Sequence, residues 1–273
     1  MATTVQPLNP SGKYHFLLRK LHSLSGIVPI GCFLIEHLLT NSRAFQWFGW
    51  FQSGPQQFNK AVHFLHELPF LPFLEIFGIF LPLAFHGLYG VIIALTGKSN
   101  VRDYPNMDNT RYLFQRVTGY IAIVFLVIHL LKFRFAHVVG WGPEFIGSED
   151  PFEITRRGLM AWNPVGAFIV PAWLTFTMYW IGLAAACFHF GNGIWSFCIT
   201  WGIAISPRGQ RRVLALGMLA SIALFIGGSA GLYAFATAPK PEPAPGGAPF
   251  VVENAGARIP GARIPSRTLK VDR

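Results

Sequence analysis

The 273-residue chain carries a formal charge of +10, although Lys, Arg, Asp and Glu make up only 12% of it. Hydrophobic residues make up 52% of the chain, and 26 Phe and 8 Trp are among them. A soluble protein needs about twice this share of charged residues, so the composition disfavours a soluble enzyme and a disordered protein. In so apolar a chain, the positive charge indicates basic loops beside a membrane rather than nucleic-acid binding.

Several motifs that would point to other chemistry are missing from the sequence. It has no G-x-x-x-x-G-K-[ST] or G-x-G-x-x-G loop for a nucleotide, and no C-x-x-C-H for covalent haem. The three cysteines, Cys32, Cys187 and Cys198, do not suggest a disulfide framework. Residues 1–10 lack the apolar region of a signal peptide, so we expect no cleaved leader.

Five apolar stretches are long enough to cross a membrane as helices, which takes about 20 residues each. They predict an all-α fold, an integral membrane bundle of five transmembrane helices. Their approximate bounds are 21–40, 70–96, 112–133, 164–205 and 213–237. The fourth stretch is too long for one crossing, so we expect a long helix that protrudes from the membrane or bends.

Basic residues in the short connecting segments predict the orientation of the bundle. Ten Lys or Arg residues flank one side of the five spans, and six flank the other. The side with more positive charge is usually cytoplasmic, so we expect the N-terminus inside and the C-terminus outside. The expected divisions are a cytoplasmic segment at 1–20, the five-helix domain at 21–237, and a basic tail rich in Pro, Ala and Gly at 238–273.

His22 lies at the inner start of the first span, and four other histidines lie well inside the apolar spans, one in each of the first four: His37, His86, His129 and His189. A histidine in the hydrocarbon region is costly and usually pairs or binds a ligand. Counting residues from the span ends places His37 and His129 near the outer edge, and His86 and His189 past the midplane on the inner side. Two imidazoles from facing helices at one depth predict a bis-histidine haem site, and two depths predict two such sites.

Other interpretations of the four histidines stay open at this point. Each imidazole could be neutral and hydrogen-bonded to a neighbouring helix. Zinc is less favoured because two histidines leave a tetrahedral site short of ligands, and a proton relay would need more carboxylates. A weak repeat places Ser25-Gly26 eleven residues before His37, and Thr118-Gly119 ten residues before His129. Small residues of this kind allow close approach of a helix or a flat cofactor.

Several segments resemble the cytochrome b558 membrane-anchor subunits of succinate dehydrogenases. The resemblance covers about residues 16–236 and leaves the tail outside. Its motifs are LRKLHSLSGIVPIG at 18–31, EHLL at 36–39, FLEIF at 73–77, LPLAFH at 81–86, LFQRVTG at 113–119, FHFGNGIWSF at 188–197, TWGI at 200–203 and SPR at 206–208.

The resemblance implies a single-chain anchor in a bacterial inner membrane, docked on its cytoplasmic face to a flavoprotein and an iron–sulfur subunit. It implies two b haems, with His86 and His189 holding the inner one, and His37 and His129 the outer one. Electrons would pass from the iron–sulfur subunit through both haems to a quinone, with menaquinone as the expected type. The succinate site would lie in the flavoprotein. Membrane lipid is a further expected partner, and nucleic acid is not.

Further site residues follow from their positions in the spans. Four residues lie at the inner ends of spans one and three: Arg19, His22, Ser23 and Arg116. They could bind the propionates of the inner haem, or they could simply anchor the helices at lipid headgroups. Glu36 and Glu75 are the only carboxylates inside the spans. Either could pass protons to a quinone near the outer haem, or could hydrogen-bond a helix or reach the membrane interface.

Three alternative functions remain compatible with the sequence. A quinol:fumarate reductase would use the same subunit and run the reaction in the opposite direction. A diheme cytochrome b could serve another dehydrogenase or a hydrogenase. A transporter or structural anchor without haem belongs to a different class, and the absence of b-haem absorption would favour it.

Overall fold

The computed structural model describes residues 10–47, 53–97, 107–160, 162, 164 and 169–239. The order of elements within these residues is α1 Pro10–Ile27, α2 Pro29–Ser42, α3 Pro55–His66, α4 Leu71–Phe73, a π-helical segment Leu74–Phe80, α5 Leu81–Thr96, α6 Met107–Lys132, α7 Ala136–Val139, α8 Pro151–Leu159, α9 Ala172–Thr200 and α10 Pro207–Thr237. The basic tail is expected to begin at Ala238, and its residues from Lys240 onward lie outside the described part of the chain.

Within the residues that the structure describes, five segments are long and apolar enough to cross a membrane, which confirms the predicted all-α bundle of five spans. They are Tyr14–Ser42, Leu71–Thr96, Asn109–Lys132, Ala172–Thr200 and Pro207–Thr237. The first contains two helices, α1 and α2, because Pro29 lacks the N–H that would continue the backbone ladder. α1 begins well before residue 21, so the first span is longer than its apolar core.

The fourth span corrects the expectation of a long helix over residues 164–205. α9 has 29 residues, begins directly after Pro171 and runs without a break through residues 191–193. Pro171 has an extended backbone (φ −70°, ψ 153°), and a proline cannot continue a helix on its N-terminal side. Val170 instead pairs with Trp162 in an isolated antiparallel bridge. The surplus apolar residues therefore lie outside the helix.

The spans alternate in direction, so each end of the bundle collects residues from several helices. At one end, here called the N-end, the Tyr89 hydroxyl of α5 lies 2.7 Å from Nδ1 of His15 in α1. At the opposite end, here called the C-end, Phe58 of α3 packs with Phe152 of α8 and Phe235 of α10. The two ends provide the frame for the depths of the histidines.

α9 lies at the centre of the bundle, in contact with α1, α6, α8 and α10. α6 runs antiparallel to it, with the side chain of Gln115 accepting a 2.8 Å hydrogen bond from Asn192. Ten residues further along α6, Phe125 lies against Gly182, where a Cβ would overlap its ring. This register sets the depth at which the histidines of α6 and α9 lie.

The helices α3 and α8 form a cap over the C-end that the sequence did not predict. Asn59 joins the two helices: its Nδ2 donates to Asp150 Oδ1 at 2.9 Å, and its Oδ1 accepts from the Phe152 N–H at 2.7 Å. Asp150 also caps α8 by accepting from the Glu153 N–H at 3.1 Å. The buried residues beneath the cap are Ala44, Phe58, Val62, Phe152, Leu159, Tyr179 and Phe235.

An ion-pair cluster in α8 makes the stability of the cap dependent on pH. Glu153 accepts hydrogen bonds from Arg156 at 2.6 and 2.7 Å and from Arg157 at 2.6 Å, and the Arg156 bond lowers the pKa of Glu153. A lowered folded-state pKa stabilises the fold above the unfolded-state value of about 4.3, and the gain disappears as the pH falls through the folded-state value. We expect the melting temperature of the purified complex to decrease when the pH is lowered beyond about 4. Glu153→Gln should flatten this part of the pH profile, and an unchanged profile would contradict the assignment.

Candidate functional site

A cavity of about 880 Å³ extends through the bundle, and its wall includes all four of the predicted ligand histidines. The wall reaches from His22 and Arg116 at the N-end to Phe58 and Phe235 at the C-end. Cofactor sites commonly have volumes of about 300–1,000 Å³. One continuous space therefore connects the two levels of histidines.

The structure brings the four histidines together as two pairs. His86 and His189 lie nearer the N-end, with ring centroids 6.1 Å apart and planes at 85°. His37 and His129 lie nearer the C-end, with centroids 5.8 Å apart and planes at 78°. Two imidazoles that each bind one ion through a nitrogen at about 2 Å have centroids about 6 Å apart. Both pairs thus have the spacing of two ligands to one ion.

Backbone carbonyls hold both imidazoles of the N-end pair. Nδ1 of His86 lies 2.9 Å from the carbonyl oxygen of His22, and Nδ1 of His189 lies 3.1 Å from that of Gln115. A carbonyl oxygen can only accept, so each neutral ring carries its hydrogen on Nδ1 and keeps the lone pair of Nε2 free. Metal-binding histidines commonly have this arrangement.

A glycine lies four residues after each of these carbonyls, against the same imidazole. A Cβ on Gly26 would overlap the ring of His86, and a Cβ on Gly119 would lie only 3.1 Å from Cε1 of His189. The weak repeat in the sequence therefore corresponds to one contact made twice, in α1 and in α6. Each glycine lets a neighbouring helix bring its histidine close to the backbone.

Side-chain groups lie beside the imidazoles of the C-end pair. Nδ1 of His129 lies 3.3 Å from the hydroxyl of Tyr179. Nδ2 of Asn41 donates to the carbonyl of His37 at 2.8 Å and lies 3.5 Å from Nε2 of the same residue, at the limit for a hydrogen bond. Sequence reasoning missed Tyr179, although the antiparallel register of α6 and α9 offers a signal. Gly119 of α6 lies against His189 of α9. Because the helices are antiparallel, the residue ten positions after Gly119, which is His129, faces the residue ten positions before His189, which is Tyr179.

The residues predicted to contact propionates divide into two groups. His22 and Arg116 line the cavity, and each has a buried nitrogen without a hydrogen-bond partner among the described residues, Nδ1 and Nε respectively. The ring of His22 stacks on that of His86 with centroids 4.0 Å apart, a contact that sequence reasoning did not find. Ser23 lines the cavity too, but its hydroxyl donates to the Lys20 carbonyl at 2.9 Å. Arg19 is exposed and is not part of the cavity wall.

The two carboxylates predicted to serve a quinone both line the cavity, and each has a partner. Oε1 of Glu36 accepts from the Thr40 hydroxyl at 2.7 Å. Glu75 forms a two-point ion pair with Arg134, with distances of 3.0 and 2.9 Å, and its side chain is 16% exposed. Hydrogen bonding to Glu75 raises the pKa of Arg134. Glu75 lies in the π-helical segment, a kind of distortion that is frequent at functional sites.

His66, at the end of α3, also lines the cavity near the C-end. Its Nδ1 is buried and has no hydrogen-bond partner among the described residues. Burial lowers the pKa of His66, which favours the neutral form of the ring. The sequence places His66 in a connecting segment, where nothing distinguishes it from His63.

The donor set fits haem better than a free metal ion. Within the part of the chain that the structure describes, no three His, Cys, Asp or Glu side chains are grouped to hold a metal ion. Each level therefore offers two imidazoles, and the other coordination positions would come from a ligand such as a porphyrin. The unpartnered nitrogens of His22 and Arg116 suit the carboxylates of such a ligand.

Comparison with known proteins gives one informative match. The chain is 40% identical over 225 residues to the succinate dehydrogenase cytochrome b558 subunit of Bacillus subtilis strain 168. The aligned region covers 82% of this chain and 99% of the relative. No model of a protein family matches the chain, and no solved structure matches it. Because the identity extends over nearly the whole relative, the chain belongs to the family of succinate dehydrogenase cytochrome b558 subunits.

Proposed function

We propose that this chain is the membrane anchor of a succinate:quinone oxidoreductase and holds two b haems, His86 with His189 and His37 with His129. The observation that carries the proposal is the presence of two opposed imidazole pairs on one cavity, with centroids 6.1 and 5.8 Å apart. When bound, haem supplies one-electron transfer between the iron–sulfur subunit and the quinone. Two imidazole ligands for each haem iron would leave no open coordination position, so we expect no oxygen binding.

Neighbouring residues would orient the ligand nitrogens of the N-end pair and would hydrogen-bond the propionates of the N-end haem. The carbonyls of His22 and Gln115 accept hydrogen bonds from Nδ1 of the N-end pair, which would leave both Nε2 atoms free to bind a haem iron. Nδ1 of His22 and Nε of Arg116, which have no hydrogen-bond partner in the described part of the chain, are the proposed contacts of the propionates. Charge-assisted bonds of this kind are about twice as strong as neutral ones. Ser23 and Arg19 are weaker candidates for contacts with the propionates, because the Ser23 hydroxyl is already hydrogen-bonded and Arg19 lies outside the cavity wall.

The proposed quinone site lies at the C-end of the cavity, where Glu75 and Glu36 line its wall. The ion pair with Arg134 holds the Glu75 carboxylate in place, and this carboxylate is the proposed group that relays a proton from the aqueous side to the reduced quinone. Leu74, which is 45% exposed, also lines the cavity, so a lipid-soluble substrate can approach there from the membrane.

The Glu75→Gln variant tests the role of this carboxylate. We expect the rate of quinone reduction by succinate to fall about 100-fold because a proton donor and acceptor is lost. Haem content should stay at the wild-type value, because Glu75 contacts none of the four ligand histidines. Glu67→Gln, at an exposed position outside the cavity wall, is the matched control. A wild-type rate in Glu75→Gln would exclude Glu75 from proton transfer.

The proposal includes an orientation and partner subunits. The N-end would face the cytoplasm of a bacterium, with the flavoprotein and iron–sulfur subunits docked on it, and the C-end would face outward. Exposed arginines at the start of α10, Arg208, Arg211 and Arg212, support this orientation because basic residues accumulate on the cytoplasmic side. The segment 98–106, with Lys98 and Arg102, lies outside the described residues.

A difference spectrum tests the whole proposal. Membranes that contain the intact complex are reduced with succinate, and the spectrum is compared with that of the oxidised sample. We expect b-haem bands that appear with succinate and decrease when menaquinone is added. A complex that oxidises succinate but lacks b-haem bands would overturn the proposal. Fumarate reduction with a quinol, measured on the same sample, separates the two possible directions.

A further inference from the structure

The two imidazole pairs differ in what holds them, and Tyr179 is the clearest difference. Each N-end imidazole contacts a backbone carbonyl, which every residue type supplies. His129 instead has a phenolic oxygen 3.3 Å from its Nδ1. A phenol is a weaker acceptor than a carbonyl, and it is present only because residue 179 is tyrosine.

Tyr179 lies in an aromatic cage around His129. Its side chain is buried, with 5% exposure, and its ring meets Phe125 and Phe133 edge-to-face at 5.2 and 6.1 Å. The same two phenylalanines flank His129, with centroids 5.6 and 5.3 Å from its ring. A Cβ on Gly182 would overlap Phe125, so this glycine makes room for the cage. The Tyr179 hydroxyl is thus the polar group of an otherwise apolar enclosure.

We infer that Tyr179 is a positioning residue that sets the electron-donating strength of His129, and through it the midpoint potential of the C-end haem. The inference rests on the proposed function, because it needs His129 as an iron ligand. With Nε2 on iron, Nδ1 carries the hydrogen and donates it to the phenolic oxygen. This hydrogen bond makes the imidazole more basic, and a more basic ligand stabilises the ferric form.

The test compares midpoint potentials in the intact, membrane-bound complex. Tyr179→Phe removes the acceptor and keeps the ring, so we expect the potential of the C-end haem to rise and that of the N-end haem to stay unchanged. Electron paramagnetic resonance of the ferric haems, recorded during the titration, identifies which one shifts. Tyr89→Phe is the matched control, since this buried tyrosine bonds to His15 and to no proposed ligand. It should leave the potential of the C-end haem at the wild-type value.

A second variant covers the case in which Tyr179→Phe loses the C-end haem. Site-specific 3,5-difluorotyrosine at position 179 nearly preserves the shape and weakens the oxygen as an acceptor, so the C-end potential should again rise. An unchanged C-end potential in this variant, or in a Tyr179→Phe complex with both haems, overturns the inference. Either result leaves two haems in place and the proposed function intact, whereas a wild-type complex without b haem overturns the proposed function itself.

Discussion

Replacing His37 with alanine is expected to remove the C-end haem and to leave the N-end haem bound. His37 faces His129 at 5.8 Å, and the other pair lies elsewhere on the cavity with its own contacts. Loss of a group that merely orients a ligand costs about 10–100-fold in metal affinity or activity, so loss of a ligand should cost at least about 100-fold in quinone reduction. The haem-to-flavin ratio of the purified complex, together with paramagnetic resonance of the remaining haem, measures the result.

The matched control for this experiment is His137→Ala. His137 lies in α7 at the same end of the bundle but is exposed, so its loss should leave both haems bound. A His37→Ala complex that keeps the C-end haem and loses the N-end one would show that the levels have been exchanged. Retention of both haems would remove His37 from the ligand set.

Replacing Gly26 with alanine should displace a ligand without touching its side chain. The added Cβ would occupy the space of the His86 ring, so the imidazole must leave its contact with the carbonyl of His22. Overpacking of this kind costs about 1–3 kcal/mol, and here it acts directly on a proposed iron ligand. We expect Gly26→Ala to lose the N-end haem, the reverse of the result with His37→Ala. Haem stoichiometry and the paramagnetic resonance spectrum measure it.

The neighbouring glycines provide graded controls. A Cβ on Gly119 would lie 3.1 Å from Cε1 of His189, so Gly119→Ala should keep both haems and change only the resonance signal of the N-end one. A Cβ on Gly87, directly after His86 in α5, would lie 3.9 Å from the nearest atom. Gly87→Ala should therefore resemble the wild type. Equal effects of all three substitutions would indicate general destabilisation of the helices.

The spans and the pairing of the histidines follow from local features of the sequence. Apolar stretches of about 20 residues predict five helices, and the distance of each histidine from the end of its stretch predicts its depth in the membrane. The structure places His86 beside His189 and His37 beside His129, as that count expects. Hydropathy does not report where an apolar stretch stops being helical. For this reason the predicted fourth span, 164–205, is longer than the helix in the structure, which begins after Pro171.

The missing parts of the candidate site depend on contacts between distant segments. Glu75 belongs to the second span and Arg134 to the segment that follows the third, and nothing near either residue in the sequence indicates their ion pair. The cap depends on Asn59, which reaches Asp150 and the backbone of α8, and short polar helices of this kind leave a weak periodic signal. The stacking of His22 on His86 requires the crossing of α1 and α5, which depth alone does not specify.

The carbonyl contacts of His86 and His189 bear on how the proposed haems would be inserted into the apoprotein. A helical carbonyl is in place as soon as the helix folds, so these two imidazoles are aimed before any cofactor arrives. Ordering a free side chain on binding costs about 0.5–1.5 kcal/mol, and the N-end pair avoids most of this cost. His129 depends on Tyr179 and its cage, which must become ordered as well. Under limiting haem supply, the half-loaded intermediate of assembly would therefore carry its cofactor at the N-end.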